Sequence, residues 1–409
     1  MKLLYIADGR SPIALNWIDY FIHGGHEVHL ASTYPCMPVE RLASMHLIPV
    51  AMSGSYGQPE DASLTRDLSR KLMPVALRTK IRQLLAPMTF PRAASALQHV
   101  IIDVQPDLIH GMRIPYEGMI ASMAVEAISV KRGRQNRAPL LISVWGNDFT
   151  LHARSTPRMY DYTLQVLQTS DALHTDCRRD MKLAQELGFA SSKPGIVLPG
   201  GGGIKMEVFY PPENNQEKDM QPDGRKPLMT VINPRGIRSY VRNDTFFHAI
   251  PHVLKKYPEV RFICPGMAGE RQAQKYVSEL EIEKNVELFP AQSQQAMAGL
   301  FRQAQISVSI SMHDGTPNTL LEAMACGCFP IAGDLESIRE WISTGENGSL
   351  VEPDDVHGLA EAILSAIEKP AMRWQARERN LQLVKERAEY SKTMRQVEEF
   401  CKSLISKKL

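Results

Sequence analysis

The sequence predicts an α/β protein made of two doubly wound domains, each with a parallel sheet. Three observations lead to this prediction. The chain has 409 residues, which is more than one hydrophobic core usually organises. Short β-rich runs alternate with helical patterns along most of the chain, which is typical of strand-helix-strand units. A polar, proline-containing stretch at 211–227 interrupts this alternation, which then starts again.

Six strands are predicted before the polar stretch, each a short apolar run bounded by polar or glycine positions. Helical patterns separate most of them, because parallel strands need a crossover connection. The predicted strands are residues 2–8, 26–32, 107–112, 139–145, 171–176 and 195–200.

Six more strands are predicted after the polar stretch, with helical segments such as 244–257 and 293–304 between them. From Val356 onward the pattern is helical to the end. The strands of this half are residues 228–233, 260–266, 285–290, 305–310, 328–333 and 348–352.

These elements give two Rossmann-like domains facing each other across a cleft. We place the first at residues 1–205 and the second at 206–389. The last helix, at about 390–409, has no strand after it. We therefore expect it to pack back on the first domain.

The composition favours a globular enzyme over a nucleic-acid-binding protein. Hydrophobic residues make up 44% of the chain, charged residues 22%, and the formal net charge is +2. So small a charge argues against a polyanionic partner such as nucleic acid. No apolar run approaches the ~20 residues needed to cross a bilayer, and Met1-Lys2 leads directly into a strand pattern rather than a signal peptide. We expect a cytoplasmic protein.

A basic and apolar segment at 64–92 allows two interpretations. Arginine and lysine interleave with apolar residues there, so the segment suits peripheral contact with the anionic inner face of a membrane. Pro74 and Pro87 interrupt any long amphipathic helix. A solvated helix face over the core is therefore an equally good interpretation.

The stretch SMHDGTPNTLLEAMACGCFPIAGD at 311–334 joins a predicted strand to a predicted helix. Thr316 followed by Pro317 fits a helix N-cap with proline at the first helical position. The backbone N–H groups of Asn318 and Thr319 then face the carboxyl edge of the sheet, where open α/β sheets bind ligands. A helix N-terminus favours an anion, and a diphosphate fits.

Two acids, Asp314 and Glu322, lie on either side of this junction, and Gly315 supplies the turn. A carboxylate beside an anion site needs a different partner, and the hydroxyl groups of ribose or a sugar donate hydrogen bonds to carboxylates. The two acids therefore suit the two ends of a nucleotide-diphosphate sugar. The alternative is structural, with Asp314 in an Asx-turn and Glu322 favouring the helix N-terminus.

This stretch and its continuation, LLEAMACGCFPIAGDLESIREWI…GENGSLVEPDD, resemble glycosyltransferase family 4, a family of retaining enzymes with the two-domain GT-B fold. The resemblance covers nearly the whole chain and is strongest at 228–355. It implies that Glu322 binds the nucleotide ribose and that Asp314 contacts the donor sugar, although family members more often have Glu at the latter position. The turn at Gly266 resembles the family's glycine-rich turn, which permits close backbone approach.

VINPRGIRSY at 231–240 resembles the family segment in which an arginine and, five positions later, a lysine hold the diphosphate. Arg235 matches the arginine, whose planar guanidinium suits phosphate oxygens. Tyr240 stands at the lysine position. The remaining positive charge is therefore expected from Arg238, Arg242 or the helix N-terminus.

The first domain carries weaker matches, which suggest acceptor-side residues. Its opening segment resembles the family's first strand and loop and places Gly9 and Arg10 at the cleft, while DLIHGM keeps His110 of a segment in which relatives often have two histidines. VWGNDFT resembles a W-G-x-D segment and directs Trp145 and Asp148 to the acceptor. Asp148 is a candidate for orienting or deprotonating the acceptor hydroxyl, or else for capping the next helix. A lone histidine such as His110 is more often a packed core residue.

The resemblance implies a retaining, hexosyltransferase-type glycosyltransferase that moves a sugar from a nucleotide-diphosphate sugar to a hydroxyl acceptor in polysaccharide or glycolipid biosynthesis. No metal is expected, because the chain lacks a D-x-D motif for Mg²⁺ and its six cysteines lack metal-ligand spacing. A UDP-sugar is favoured over a GDP- or ADP-sugar, and no separate cofactor is expected. The alternatives are a sugar-nucleotide epimerase of the same fold and a non-catalytic scaffold that binds nucleotide sugars.

Overall fold

Two parallel sheets organise residues 1–50, 85–212 and 229–406, which are the residues that this computed structural model describes. By its internal contacts the chain divides into a first unit, Met1–Gly203 with Ser391–Leu409, and a second unit, Ile204–Tyr390. Most of the polar stretch at 211–227 and most of the basic segment at 64–92 lie outside the described residues.

The first unit contains a seven-stranded sheet in the order β3-β2-β1-β4-β5-β6-β7, with every neighbouring pair parallel. All six strands predicted here form, each at most three residues shorter at an end. β3 was not predicted, because its residues alternate between half-buried and exposed positions and form a short edge strand. The strands are β1 Lys2–Ala7, β2 Glu27–Ser32, β3 Ser44–Leu47, β4 Leu108–Gly111, β5 Leu140–Val144, β6 Ala172–Thr175 and β7 Gly195–Val197.

Helices cover this sheet through apolar faces that bury aliphatic side chains against the strands. Ser11 caps the first helix and Thr156 the fourth, each accepting a hydrogen bond from a backbone N–H of the first turn. The helices described between β1 and β7 are α1 Pro12–His23, α2 Phe90–Val104, α3 Met119–Arg132, α4 Pro157–Thr169 and α5 Arg178–Glu186.

The second unit contains a six-stranded parallel sheet in the order β10-β9-β8-β11-β12-β13. All six strands predicted here form. Phenylalanines 246, 247, 262, 301 and 329 are fully buried around it. Its strands are β8 Thr230–Ile232, β9 Arg261–Cys264, β10 Val286–Leu288, β11 Ile306–Ser309, β12 Phe329–Gly333 and β13 Ser349–Val351. Its helices are α6 Asn243–Leu254, α7 Arg271–Glu279, α8 Gln294–Gln303, α9 Asn318–Ala325, α10 Val356–Glu368 and α11 Pro370–Arg387.

The last helix, α12 Tyr390–Ser406, joins the first unit almost entirely. Its Glu398 accepts hydrogen bonds from the Tyr20 hydroxyl and the His26 ring, both at 3.1 Å. Val397 and Cys401 of the same helix are buried. The apolar side of α12 is therefore covered.

Strand order reverses once in each sheet, between β1 and β4 in the first unit and between β8 and β11 in the second. At such a point the loops leaving neighbouring strands diverge, and open α/β sheets bind ligands there. The loops that leave β8 and β11 carry the two best-matched segments of the sequence. This is why the strand order places the candidate site at that edge.

Two further sequence expectations concern thiols and membrane spans. Five of the six cysteines are buried and Cys36 is half-buried, with no disulfide among them. Among the described residues, no helix is both long and apolar enough to cross a membrane.

Candidate donor site

The loop that leaves β8 is held by its own side chains. Asn233 accepts a hydrogen bond from the backbone N–H of Arg235 at 3.2 Å. The Asn243 amide donates to the carbonyl of Gly236 at 3.0 Å and accepts one from the Asn233 amide at 3.2 Å. Gly236 has a φ of +62°, a conformation that glycine adopts without strain. The loop therefore presents Arg235 from a fixed backbone.

The loops that leave β8 and β11 are also tied to each other. Val241 and Ser311 form an isolated antiparallel bridge, and the backbone N–H of Met312 donates to the carbonyl of Tyr240 at 2.9 Å. Tyr240, a predicted donor-binding residue, thus contributes a backbone link between the two loops. The half-buried side chain of Tyr240 lies near enough to Arg235 to contribute to raising the pKa of that guanidinium.

Arg235 and Asp314 meet across the point where the strand order reverses. A terminal guanidinium nitrogen of Arg235 lies 2.7 Å from Oδ2 of Asp314, and the other donates to the Thr319 hydroxyl at 3.3 Å. The Ser311 hydroxyl also donates to Asp314, at 2.5 Å. Burial acts to lower the pKa of Arg235, but Asp314, Tyr240 and Glu322 raise it above its ordinary value. The guanidinium therefore stays charged.

The junction into α9 differs from the prediction in one detail. The helix begins at Asn318, and Pro317 is its N-cap, with φ −66° and an extended ψ of 127°. Thr316 is therefore not the cap, and that prediction was wrong. Its buried hydroxyl accepts a hydrogen bond from the Trp341 indole at 2.9 Å instead.

The first turn of α9 leaves donors available. Within the described part of the chain, nothing accepts a hydrogen bond from the backbone N–H of Asn318 or Thr319. The preceding turn at Gly315 is buried, and the Ser337 hydroxyl fixes it by donating to the carbonyl of Asp314 at 2.6 Å. Together with the helix dipole, these N–H groups form an anion-binding feature beside Arg235.

Glu322 lies one turn further along α9, on the face that Thr319 shares. Its carboxylate makes no hydrogen bond to any residue that the structure describes. Burial raises the pKa of Glu322 to about 7, and the positive charge of Arg235 opposes that rise. The side chain is therefore an acceptor whose charge changes near neutral pH.

Gly266 follows β9 and lies beside the loop that carries Arg235. Gly266 and Gly236 both have positive φ, +76° and +62°. A Cβ at Gly236 would lie 3.6 Å from the carbonyl oxygen of Gly266. These two glycines bring the loops of β8 and β9 close together without side chains between them.

Asp148, predicted as a catalytic residue, is a buried anchor in the first unit. The side chain is 0% exposed and lies 2.8 Å from a terminal nitrogen of Arg113. Its other oxygen accepts hydrogen bonds from the backbone N–H groups of Ile114 and Trp145, at 3.0 and 3.1 Å. It caps no helix, since Asn147 is the N-cap of the next helical turn. The geometry fits loop fixation and not proton transfer.

Arg113 was not singled out in the sequence, although DLIHGMR places it two residues after β4. Arg235 lies in a similar place, three residues after β8, although its match to the family segment and not this position identified it. Arg113 also lies over the ring of Trp145, with 5.2 Å between the guanidinium carbon and the ring centroid. Trp145 is half-buried.

Two other residues predicted on the acceptor side, Arg10 and Gly9, lie in the loop after β1, one exposed and one buried. Arg10 is exposed, forms a salt bridge with Asp8 at 2.8 Å and stacks on Tyr34. Gly9 donates its N–H to the Ser32 hydroxyl at 3.0 Å. A Cβ at Gly9 would lie 2.4 Å from Sγ of Cys36, so only glycine fits there.

His110 belongs to the core of the first unit. It is 1% exposed, and its Nε2 lies 2.8 Å from the Ser143 hydroxyl, which in turn contacts His174 at 3.0 Å. Burial, with a smaller contribution from His174, lowers the pKa of His110 to about 3. His110 is therefore a neutral packing residue in this structure, and the acceptor-side expectation for it is corrected.

Asp176, Cys177 and Asp180 form the one group of metal-ligand types that comes together in the described ranges. Their ligand atoms all lie within 4.8 Å of one another. Arg179 donates two hydrogen bonds to Asp180. Burial, followed by the charge of Asp180, raises the pKa of Asp176 well above its usual range, and burial also raises the pKa of Cys177. The positive charge of Arg179 therefore lies inside this group.

Two family models match this chain and together span both units. The model described as "Glycosyl transferase 4-like" matches residues 2–176, and the one described as "Glycosyl transferases group 1" matches residues 216–382. The chain belongs to the group 1 glycosyltransferases. The second match contains both loops that meet at Arg235 and Asp314.

Sequence relatives of this group 1 glycosyltransferase include two named enzymes. It is 29% identical over 113 residues to the GDP-mannose:cellobiosyl-diphosphopolyprenol alpha-mannosyltransferase of Xanthomonas oryzae pv. oryzae, covering 27% of this chain and 30% of that one. It is 25% identical over 223 residues to the D-inositol 3-phosphate glycosyltransferase of Streptosporangium roseum, covering 51% of this chain and 50% of that one. The chain thus spans a third to a half of these relatives.

Solved structures share the GT-B fold over nearly the whole chain. The sucrose-phosphate synthase of Thermosynechococcus elongatus aligns with a TM-score of 0.74 at 14% identity, covering 99% of this chain and 100% of that one. Anabaena HepE, in a complex with UDP and glucose, aligns with a TM-score of 0.70 at 14% identity, covering 98% and 100%. At such identity the likeness establishes the fold alone.

Proposed function

We propose that this group 1 glycosyltransferase transfers a sugar, with retention of anomeric configuration, from a nucleotide-diphosphate sugar to a hydroxyl acceptor. The second unit holds the donor. One observation carries the proposal: Arg235, the free N–H groups that open α9, and the carboxylates of Asp314 and Glu322 converge where the strand order reverses. These are the chemical groups that a diphosphate between two polyols requires.

The diphosphate is assigned to Arg235 and the start of α9. The guanidinium offers planar paired donors to phosphate oxygens, and the N–H groups of Asn318 and Thr319 offer more. The Thr319 hydroxyl, which already contacts Arg235 at 3.3 Å, lies close enough to contribute. Gly266 leaves room for close backbone approach on the other side.

The two carboxylates are assigned to hydroxyl groups. Glu322 has no hydrogen-bond partner among the described residues, and ribose hydroxyls supply donors for it. Asp314 is assigned to the transferred sugar, with Arg235 and Ser311 orienting it. Ionised carboxylates accept such bonds best, so Glu322 binds better above its pKa of about 7.

Cleavage of the bond between the anomeric carbon of the sugar and the phosphate oxygen leaves new negative charge on the leaving phosphate. Arg235 and the α9 dipole lie where they stabilise that charge more in the transition state than in the bound donor. The proposed reaction uses these groups in place of a divalent cation. Because Asp148 is buried and already accepts hydrogen bonds from Arg113 and from two backbone N–H groups, we assign the acceptor proton to the leaving phosphate rather than to a side-chain base.

The acceptor is assigned to the first unit, where the loops after β1 and β5 expose Arg10 and half-expose Trp145. A glycan or lipid-linked glycan is the proposed class. Relatives support either nucleotide: one is named for GDP-mannose, and HepE was solved with UDP. We propose a UDP-sugar first and a GDP-sugar second.

The test is a screen of UDP-, GDP- and ADP-sugars for release of the nucleoside diphosphate, with and without EDTA. We expect slow, EDTA-insensitive hydrolysis of one donor, which Arg235→Ala abolishes. NMR of the product anomer then tests retention. A new nucleotide sugar formed without an acceptor would favour the epimerase, and no nucleotide binding at all would favour the scaffold.

A further inference from the structure

The proposed donor site has too little positive charge for its ligand. A nucleoside diphosphate carries more than one negative charge at neutral pH, since the second pKa of a phosphate is about 6. Arg235 is the buried cation of the site, but Asp314 lies 2.7 Å from it and offsets its charge. Glu322 adds a second acid when ionised. Another cation is therefore needed beside the phosphates.

The loop between β8 and α6 contains two other arginines, and their environments differ. The charge of Arg242 is already paired, because this residue forms salt bridges with Asp244 at 2.7 Å and with Asp354. Arg238 is exposed and forms no ion pair with any carboxylate in the described part of the chain. The one hydrogen bond of its side chain there runs from Nε to the carbonyl of Arg235, at 3.3 Å. Both terminal nitrogens of Arg238 remain available.

The position of Arg238 is fixed by the loop that carries it. The loop is held at one end by Asn233 and Asn243 and at the other by the Val241–Ser311 bridge. The bond from Nε to the Arg235 carbonyl holds the Arg238 guanidinium beside the backbone of Arg235. Neither constraint blocks the planar end that binds phosphate oxygens.

We propose that Arg238 is the second phosphate-binding residue of the donor site and contacts the diphosphate beside Arg235. This inference rests on the proposed function. It assigns the missing positive charge to Arg238 rather than to Arg242. A tyrosine side chain cannot supply positive charge, and the carbonyl of Tyr240 serves the link to Met312.

The experiment is calorimetric titration of the full chain with UDP, GDP and ADP, using whichever the parent binds. Loss of a hydrogen bond to a charged group weakens binding about 10-fold or more, so we expect at least that for Arg238→Ala. Arg238→Lys should recover part of the affinity. The salt dependence should be shallower in Arg238→Ala than in the parent, because one ionic contact is gone.

Two variants serve as controls. Lys284→Ala removes an exposed positive charge just before β10, at the opposite edge of the same sheet, and should bind like the parent. Arg242→Ala removes the competing arginine and should change affinity less than threefold. Thermal melting of Arg238→Ala should match the parent, because the side chain is exposed and pairs with no acid among the described residues.

Each other result overturns the inference. Parent-like affinity in Arg238→Ala with loss in Arg235→Ala refutes the role of Arg238 and leaves the donor site standing. A larger loss in Arg242→Ala assigns the charge to that residue. A parent that binds none of UDP, GDP and ADP refutes the inference together with the proposed function.

Discussion

Each unit contains an arginine and aspartate pair at the carboxyl edge of its sheet, and the two pairs differ in their partners. Arg235 and Asp314 join the loops of β8 and β11, across the point where the strand order reverses, at 2.7 Å. Arg113 and Asp148 join the loops of β4 and β5, both on one side of that point, at 2.8 Å. The distances are nearly equal, so distance alone does not indicate function.

The aspartates show the difference. Asp148 is 0% exposed and accepts two backbone N–H groups, which cannot rotate away. Asp314 is 13% exposed and is held by the side chains of Arg235 and Ser311, which can rearrange around a ligand. Backbone donors therefore indicate a structural carboxylate, whereas side-chain donors leave a carboxylate able to exchange partners.

The largest effect should come from Arg113→Ala. It leaves Asp148 as a buried, unpaired charge, which costs about 3–5 kcal/mol in free energy of unfolding. Urea denaturation of the full chain measures this loss in free energy of unfolding. The matched control, Arg113→Met with Asp148→Asn, should recover most of the loss. If Arg113→Ala were as stable as the parent and lost only transferase activity, the Arg113–Asp148 pair would belong to the reaction. The contrast with the Arg235–Asp314 pair would then be wrong.

Arg235→Ala tests the other pair. Loss of its paired contacts should weaken UDP or GDP binding about 100-fold, while the melting temperature changes little because Asp314 is partly exposed. Arg261→Ala is the control, since Arg261 starts β9 and pairs with Glu287 on the surface. Equal losses in the two variants would point to a general charge effect.

Asp314→Ala should separate binding from transfer. Removing a carboxylate beside the diphosphate leaves nucleotide affinity unchanged or tighter, whereas transfer falls about 10- to 100-fold because the sugar loses its contact. Calorimetry gives the first quantity and product assays give the second. A fall in affinity matching the fall in transfer would place Asp314 among the nucleotide contacts.

Glu322→Gln sharpens the comparison through pH, and its effect on nucleotide affinity is the smallest of the losses expected here. The folded pKa of about 7 lies above the ordinary value of 4.5. The fold therefore favours the protonated acid, and the free energy of unfolding falls as pH rises from about 4.5 toward 7. Glu322→Gln should be more stable than the parent at pH 8 and equal to it at pH 4.

Nucleotide binding gives the matching measurement for Glu322. The parent should bind more tightly as pH passes upward through about 7, as the carboxylate ionises. Glu322→Gln should bind about 10-fold less tightly at pH 8 and show a flatter pH profile. A parent profile without that rise, with the variant unchanged, would remove Glu322 from the ribose.

The sequence predicted the sheets well, because buried parallel strands are short apolar runs that local composition reveals. β3 was missed, since its alternating edge positions resemble a loop. Arg235 was predicted from its match to a family segment, and Asp314 and Glu322 from their positions on either side of a predicted helix start. Their meeting at one point follows from the sheet order, which local patterns do not contain.

Burial and distant partners account for the errors. Asp148 and His110 have polar side chains at strand ends, exactly where a site is expected, yet one is fixed by backbone donors and the other by Ser143 and two aromatic rings. Thr316 fits a cap by its neighbours, but Trp341 takes its hydroxyl. No local pattern records these contacts.

The path of the C-terminal helix has a consequence during synthesis. Tyr20 and Glu398, which share a hydrogen bond, are 378 positions apart. The ribosome must therefore translate past Glu398 before the early portion of the polypeptide gains the helix that covers it. The second unit, Ile204–Tyr390, is one continuous stretch of the chain, so all its strands and helices are translated before that point. The unit whose translation begins first is therefore the one completed last.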